Sequence, residues 1–162
     1  MTIFTAYDEH YKRAIWAMHR DKPNKSGEWA VIFELRLGTG YGRIAGQTID
    51  IFAINCFPTK SWHKIAYEIK RTRADFFEEI KRPLKRQPAL FFSNQFFFVT
   101  PPDLVKTEEI PQEAGLIEVD KNSYCCVKLM APYREAYPPV WPLFASIARR
   151  LDKRERERFL SG

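Results

Sequence analysis

Residues 65–76, IAYEIKRTRADF, constrain this chain more than any other stretch. Read as a strand, they put Ile65, Tyr67 and Ile69 on one face and Ala66, Glu68 and Lys70 on the other, because successive strand side chains alternate. A carboxylate and an ammonium then stand two residues apart on an otherwise apolar strand. The chain must next turn at once into a helix. Thr72 is a natural N-cap with Asp75 three residues on, and the pattern predicts a helix to about Lys81, stopped by Pro83. Any fold has to seat that strand, with both charges on one side, directly against a basic helix.

The flanking segments supply further elements. TIDIFAINCF (48–57) is β-rich and carries Asp50 on the face of Phe52 and Ile54. PTKSWHK (58–64) reads as a turn, so the two strands form an antiparallel hairpin by default. PLKRQPALFF predicts a second short helix, bent or delayed by Pro88. QFFFVTP (95–101) reads as a buried strand, DLVKTEEIPQEA as a loop with a turn of helix, and GLIEVDKNSYCCVKL as a hairpin turning at Lys121-Asn122. Residues 4–20 predict a helix from the spacing of Tyr7, Tyr11, Ile15 and Met18, with His10 and His19 on its surface. EWAVIFELRL (28–37) fits a buried strand or a short helix. The helix is favoured, because Glu34 and Arg36 are good helix formers and a glycine-rich stop follows. The tail, LFASIARRLDKRERERFL, is an amphipathic helix with Leu143, Ile147 and Leu151 on one stripe, reached through the proline- and aromatic-rich APYREAYPPVWP.

Composition narrows the class. With 162 residues, 45% hydrophobic and 15% aromatic, the chain suits one domain with a real core. Five of its 13 Phe lie between Leu90 and Val99. A net charge of +6 favours a polyanionic partner, nucleic acid first and an acidic membrane second. No run approaches a membrane span, and the N-terminus does not read as a secretory signal. The cysteines, Cys56, Cys125 and Cys126, are odd in number and follow no zinc pattern, which fits a reducing cytoplasm. GTGYGRIAGQ (38–47) lacks the G-K-[ST] of a phosphate-binding loop and the strand–helix setting of a dinucleotide fingerprint.

The candidate chemistry centres on Asp50, Glu68 and Lys70. Two carboxylates on neighbouring strands can hold Mg²⁺ or Mn²⁺, hard cations that prefer oxygen. A lysine two residues after the second acid can position or deprotonate the attacking water and add positive charge near a phosphate transition state. Taken alone, E-x-K also describes an ordinary surface ion pair. Arg71, Arg73, Lys81, Arg82, Lys85 and Arg86 crowd the following helices. They can line a groove for nucleic acid, each exchanging counterions with phosphate, or form a solvated basic face. Arg73 is a candidate for phosphate contact, and Asp75 for helix capping. Tyr41 and Arg43 of the glycine-rich loop are further candidates for nucleic-acid contact.

The order of blocks TIDIFAI … IAYEIKRTRADFFEEIKRPLKR … NQFFFVTPPDLV … IPQEAGLIEV resembles the PD-(D/E)XK nuclease superfamily, and within it a small MmcB-like branch of endonucleases associated with DNA repair and phage. The resemblance spans about residues 28–120. It rests on Asp50, on Glu68 and Lys70, on Arg73, Asp75 and Phe76 at the start of the helix, and on the FFFVTP and GLIEV strands. Where the superfamily has Pro-Asp, this chain has Ile49-Asp50, which keeps the acid.

That resemblance implies an α/β, restriction-endonuclease-like core: a mixed central sheet of about four to five strands flanked by helices, here with extra N- and C-terminal helices. It places the core at 28–129, a helical extension at 1–27, and the linker and amphipathic helix at 130–162. It implies Asp50, Glu68 and the Ile69 backbone carbonyl as ligands of Mg²⁺ or Mn²⁺, with Lys70 beside the attacking water. Glu34 matches a further glutamate that many members carry on the preceding helix; an ordinary exposed helix glutamate is the alternative. The function implied is a metal-dependent DNA endonuclease of DNA repair, recombination or phage DNA processing, in the cytoplasm of a bacterium or a phage-infected cell, with a homodimer or a larger DNA-processing complex as its assembly. Two rivals stand beside it: a nucleic-acid-binding protein of the same fold without activity, and a protein-interaction module built on the aromatic linker and the last helix.

Overall fold

The computed structural model describes residues 3–20, 27–38 and 47–161, with the backbone alone over 3–7. In chain order its elements are α1 (Ile3–Met18), β1 (Trp29–Arg36), β2 (Thr48–Asn55), β3 (Lys64–Ile69), α2 (Arg73–Lys81), α3 (Pro83–Phe92), β4 (Gln95–Thr100), β5 (Gly115–Val119), β6 (Cys125–Leu129) and α4 (Trp141–Leu160). The six strands form one mixed sheet in sequence order. β1–β2, β2–β3 and β5–β6 pair antiparallel, and β3–β4 and β4–β5 pair parallel. The class is α/β, with six strands rather than the four to five expected.

The extra strand is the segment for which a helix was favoured. WAVIFELR pairs with β2 from Trp29↔Asn55 to Arg36↔Thr48. Helix propensity separates residues such as Glu and Arg from β-formers by only about half a kcal/mol each. Against that, a full ladder is made and Val31, Leu35 and Leu37 are buried. Val31, Ile32 and Phe33 also favour the pleated surface. Glu34 interrupts the strand geometry, with φ of 52°.

Both sheet faces are covered, which is why the central strands read as near-continuous apolar runs. On one face Phe52, Ala66, Phe96, Phe98 and Leu116 meet Phe76 of α2, Ala89 and Leu90 of α3 and Leu143 of α4. On the other, Ile51, Ala53, Tyr67, Phe97, Val99 and Ile117 meet Ala14 and Ile15 of α1. The α2 start follows its sequence signal, since Thr72 Oγ1 accepts from the Asp75 N–H at 3.1 Å. Pro88 sits inside α3 without ending it.

His19 departs from its expected surface position. Its Nε2 lies 2.7 Å from the Tyr67 hydroxyl and its ring packs on Trp29 with centroids 4.4 Å apart. Burial, then the charges of His63 and Arg20, lower its pKa to about 4. His10 is tied as well, with Nε2 2.8 Å from the Asp120 carbonyl oxygen.

Candidate metal and phosphodiester site

The site lies where β2 begins and β3 ends. The β2–β3 pairing includes Phe52↔Ala66 and Ile51↔Tyr67; one further step sets Asp50 opposite Glu68. The strands do not continue their ladder there. Asp50 Oδ2 instead accepts the Ile69 N–H at 2.8 Å. Lys70 N–H points the other way, to the Val99 carbonyl of β4 at 2.9 Å. Alternation therefore sends both the N–H and the C=O of Ile69 toward β2, beside Asp50.

Two acids and two lysines interlock behind this edge. Lys70 Nζ donates to Glu68 Oε1 at 2.8 Å and to Glu79 Oε2 at 3.3 Å. Lys85 Nζ donates to the same Glu79 oxygen at 2.9 Å and lies 4.0 Å from Glu68 Oε1. Glu79 and Lys70 are buried, Glu68 nearly so, while Lys85 is exposed. The residues open onto a cavity of about 370 Å³, lined also by Asp8, Arg71, Asp75, Glu78 and Arg82. Counting its lining gives six carboxylates against four cations. The cavity is locally acidic in a chain of net charge +6.

Burial, and then that imbalance, show in the protonation of the two front acids. Burial raises Asp50; the Ile69 N–H and Lys70 oppose it, and Glu34 and Asp8 add to it. Burial, then the neighbouring Asp50 charge and more weakly Glu79, push Glu68 up to about 7 in spite of Lys70. Burial works against the Lys70 ammonium, yet Glu68 and Glu79 outweigh it and raise its pKa. Burial likewise opposes ionisation of Glu79, but Lys85 and Lys70 lower its pKa overall. The back of the site is thus a neutralised Lys–Glu–Lys cluster. Its front is a pair of acids short of positive charge.

The other sequence candidates fall in several places. Glu34 lies on β1, where continuing the register puts it opposite Asp50. It does not line the cavity; its Oε1 pairs with Lys12 Nζ at 2.6 Å. Arg71 lines the cavity and pairs with Asp8 at 3.3 Å. Arg73 is taken up in holding a loop: it donates to both Glu109 oxygens and to the Leu104 carbonyl, and lies over Phe77. Arg86 is buried, with Nη2 2.6 Å from Glu113, and its Nη1 donates to the Glu79 carbonyl. Lys81 is exposed and pairs with Glu78, as does Arg82, which also lines the cavity. Tyr41 and Arg43 lie outside the described residues.

Sequence reasoning missed Glu79 and Asp8. Glu79 follows Phe76 by three residues, so it shares the inward face of α2; a charged residue at that spacing from a core aromatic is a readable signal. Asp8 comes from α1, far away in sequence, and carries no such mark.

No family model and no curated protein matches this sequence. Among solved structures, a protein of unknown function from Silicibacter pomeroyi is similar to it, with a TM-score of 0.63 and 22% identity over 93% of this chain and 92% of its own. That likeness shows a shared fold. Among the described residues no three His, Cys, Asp or Glu side chains are grouped as a metal site, and no helix is long and apolar enough to cross a membrane.

Proposed function

We propose that the chain is a metal-dependent deoxyribonuclease that hydrolyses phosphodiester bonds at the Asp50–Glu68–Lys70 site. The carrying observation is the pairing of two under-neutralised carboxylates, Asp50 and Glu68, with a lysine held against the second at 2.8 Å. Their oxygens, with the Ile69 carbonyl, make a hard-oxygen donor set suited to Mg²⁺ or Mn²⁺, with water completing the coordination. Such an ion, when bound, lowers the pKa of water and neutralises charge on the phosphate.

The chain's own groups divide the remaining work. The Ile69 N–H orients Asp50. Lys70, held protonated by Glu68 and Glu79, donates hydrogen bonds and positive charge to the attacking water and the phosphate oxygens. Glu79 and Lys85 fix the lysine from behind. Lys85, Arg71 and Arg82 stand at the rim, each paired with an acid, and a bound divalent ion would offset the excess of carboxylates that a polyanion meets there.

The test is cleavage of linear, nicked, branched and single-stranded DNA in Mg²⁺ or Mn²⁺ by the intact chain, by Asp50→Ala and by Lys70→Ala. Cleavage undiminished in both variants overturns the assignment. One observation favours a non-catalytic reading: Lys70 is satisfied by two carboxylates, as in a structural ion cluster. Calorimetry separates the two, because salt-sensitive DNA binding without uptake of a divalent ion belongs to the non-catalytic form.

A further inference from the structure

A second charged feature lies on the other side of Glu34. Between β1 and α4 runs an open groove of about 590 Å³, lined by Glu34, Arg36, Arg149, Arg150, Lys153 and Arg156 among others. Over its whole lining, five cations face three carboxylates, Glu34, Asp152 and Glu157. Lys153 and Arg156 are drawn to helix neighbours Glu157 and Asp152. Arg36 and Arg149 have no ion-pair partner among the described residues. Arg150 Nη1 donates to the Glu34 backbone carbonyl at 3.0 Å, which anchors the helix to the edge strand.

Continuing the sheet registers sets Glu34 opposite Asp50 and Asp50 opposite Glu68. The groove and the acid cavity therefore sit at the same end of the sheet, separated by one strand. We propose that α4 and the end of β1 form a backbone-binding arm for duplex DNA, which carries the strand leaving the Asp50–Glu68 site. This rests on the nuclease reading for the identity of the polymer.

Three features favour DNA phosphates as the occupant. Guanidinium groups predominate, and their fork matches phosphate oxygens bidentately. Residues 149–156 span about 10 Å of helix, close to the rise of three nucleotides of one strand. The alternative for a basic amphipathic helix is a membrane surface, but Leu143 and Ile147 of its apolar stripe are already packed on the core, which leaves only Leu151 of the stripe exposed.

The experiment measures affinity of the full chain for a DNA duplex across a salt series without divalent ions, for the wild type, for Arg36→Gln/Arg149→Gln, and for Lys60→Gln. Lys60 is an exposed cation at the opposite end of the sheet. Losing two phosphate contacts makes the slope of log K against log salt shallower by about 1.8, whereas Lys60→Gln leaves it unchanged. Equal slopes for the wild type and the double variant, or an equal loss in Lys60→Gln, overturn the arm; so does a double variant that loses binding to anionic vesicles but not to DNA. Parallel cleavage assays in Mn²⁺ separate the two claims. Cleavage with an unmoved slope removes the arm and keeps the nuclease. A changed slope without any cleavage keeps the arm and removes the nuclease.

Discussion

Glu68→Gln should stabilise the protein at alkaline pH, and the size of the gain follows from the site. Burial and the charge of Asp50 raise the Glu68 pKa from 4.5 to about 7. Between those values the folded state binds the proton and the unfolded state does not. Stability therefore falls as pH rises through that window and stays reduced above it. At ~1.4 kcal/mol per pH unit the full penalty approaches ~3 kcal/mol. Glutamine does not titrate, and its amide oxygen can still accept from Lys70, which keeps its second partner Glu79. Urea unfolding of the wild type and the variant at pH 4.5 and pH 8 isolates the titration of the Glu68 cluster, because groups that do not interact with Glu68 cancel in the difference. The two chains should be nearly equal at pH 4.5 and differ by roughly 3 kcal/mol at pH 8, with the variant more stable. Mn²⁺ at a hundred times its Kd should return about 2.7 kcal/mol to the wild type and little to the variant. A gap of the same size at both pH values would refute the under-neutralised pair on which the metal reading stands.

His19→Gln should flatten the acid limb of the stability curve. The folded pKa near 4 lies below the ordinary 6.5, so the unfolded state binds more protons between them and the wild type loses up to roughly 3 kcal/mol as pH falls through that window. Gly115→Ala should cost about 1–3 kcal/mol in thermal or urea unfolding, because a Cβ there would stand 2.5 Å from the Ala131 nitrogen and 2.6 Å from the Leu129 carbonyl, both backbone atoms that cannot swing aside. Arg86→Met should destabilise by about 1–3 kcal/mol, since it removes the hydrogen bonds of a buried guanidinium to Glu113 and to the Glu79 carbonyl. Lys81→Ala, which breaks only an exposed pair with Glu78, should cost less than about 1 kcal/mol; equal losses in the two would remove the structural role assigned to Arg86.

What could be read from the sequence divides along a physical line. Strand alternation put Glu68 and Lys70 on one face, and they meet at 2.8 Å. The Thr72 cap and the run FFFV were legible for the same reason, as short-range patterns with one solution. β1 was misread because its evidence was local propensity, while its state is decided by pairing with β2, a partner that no propensity encodes. The basic cluster of 71–86 shows the same limit inside one segment. Its cations look alike in sequence, yet Arg86 is buried against Glu113, Arg73 is bound to Glu109, and Lys85 alone among them reaches both Glu68 and Glu79. Charge type is a property of the residue, but the work a charge does is set by its desolvation and by which acid lies nearest. Glu79 carries that furthest. One inward turn of α2 converts an apparently ordinary helix glutamate into the group that holds Lys70 against Glu68, so the E-x-K pair functions as part of a four-residue ionic unit whose last two members come from separate helices.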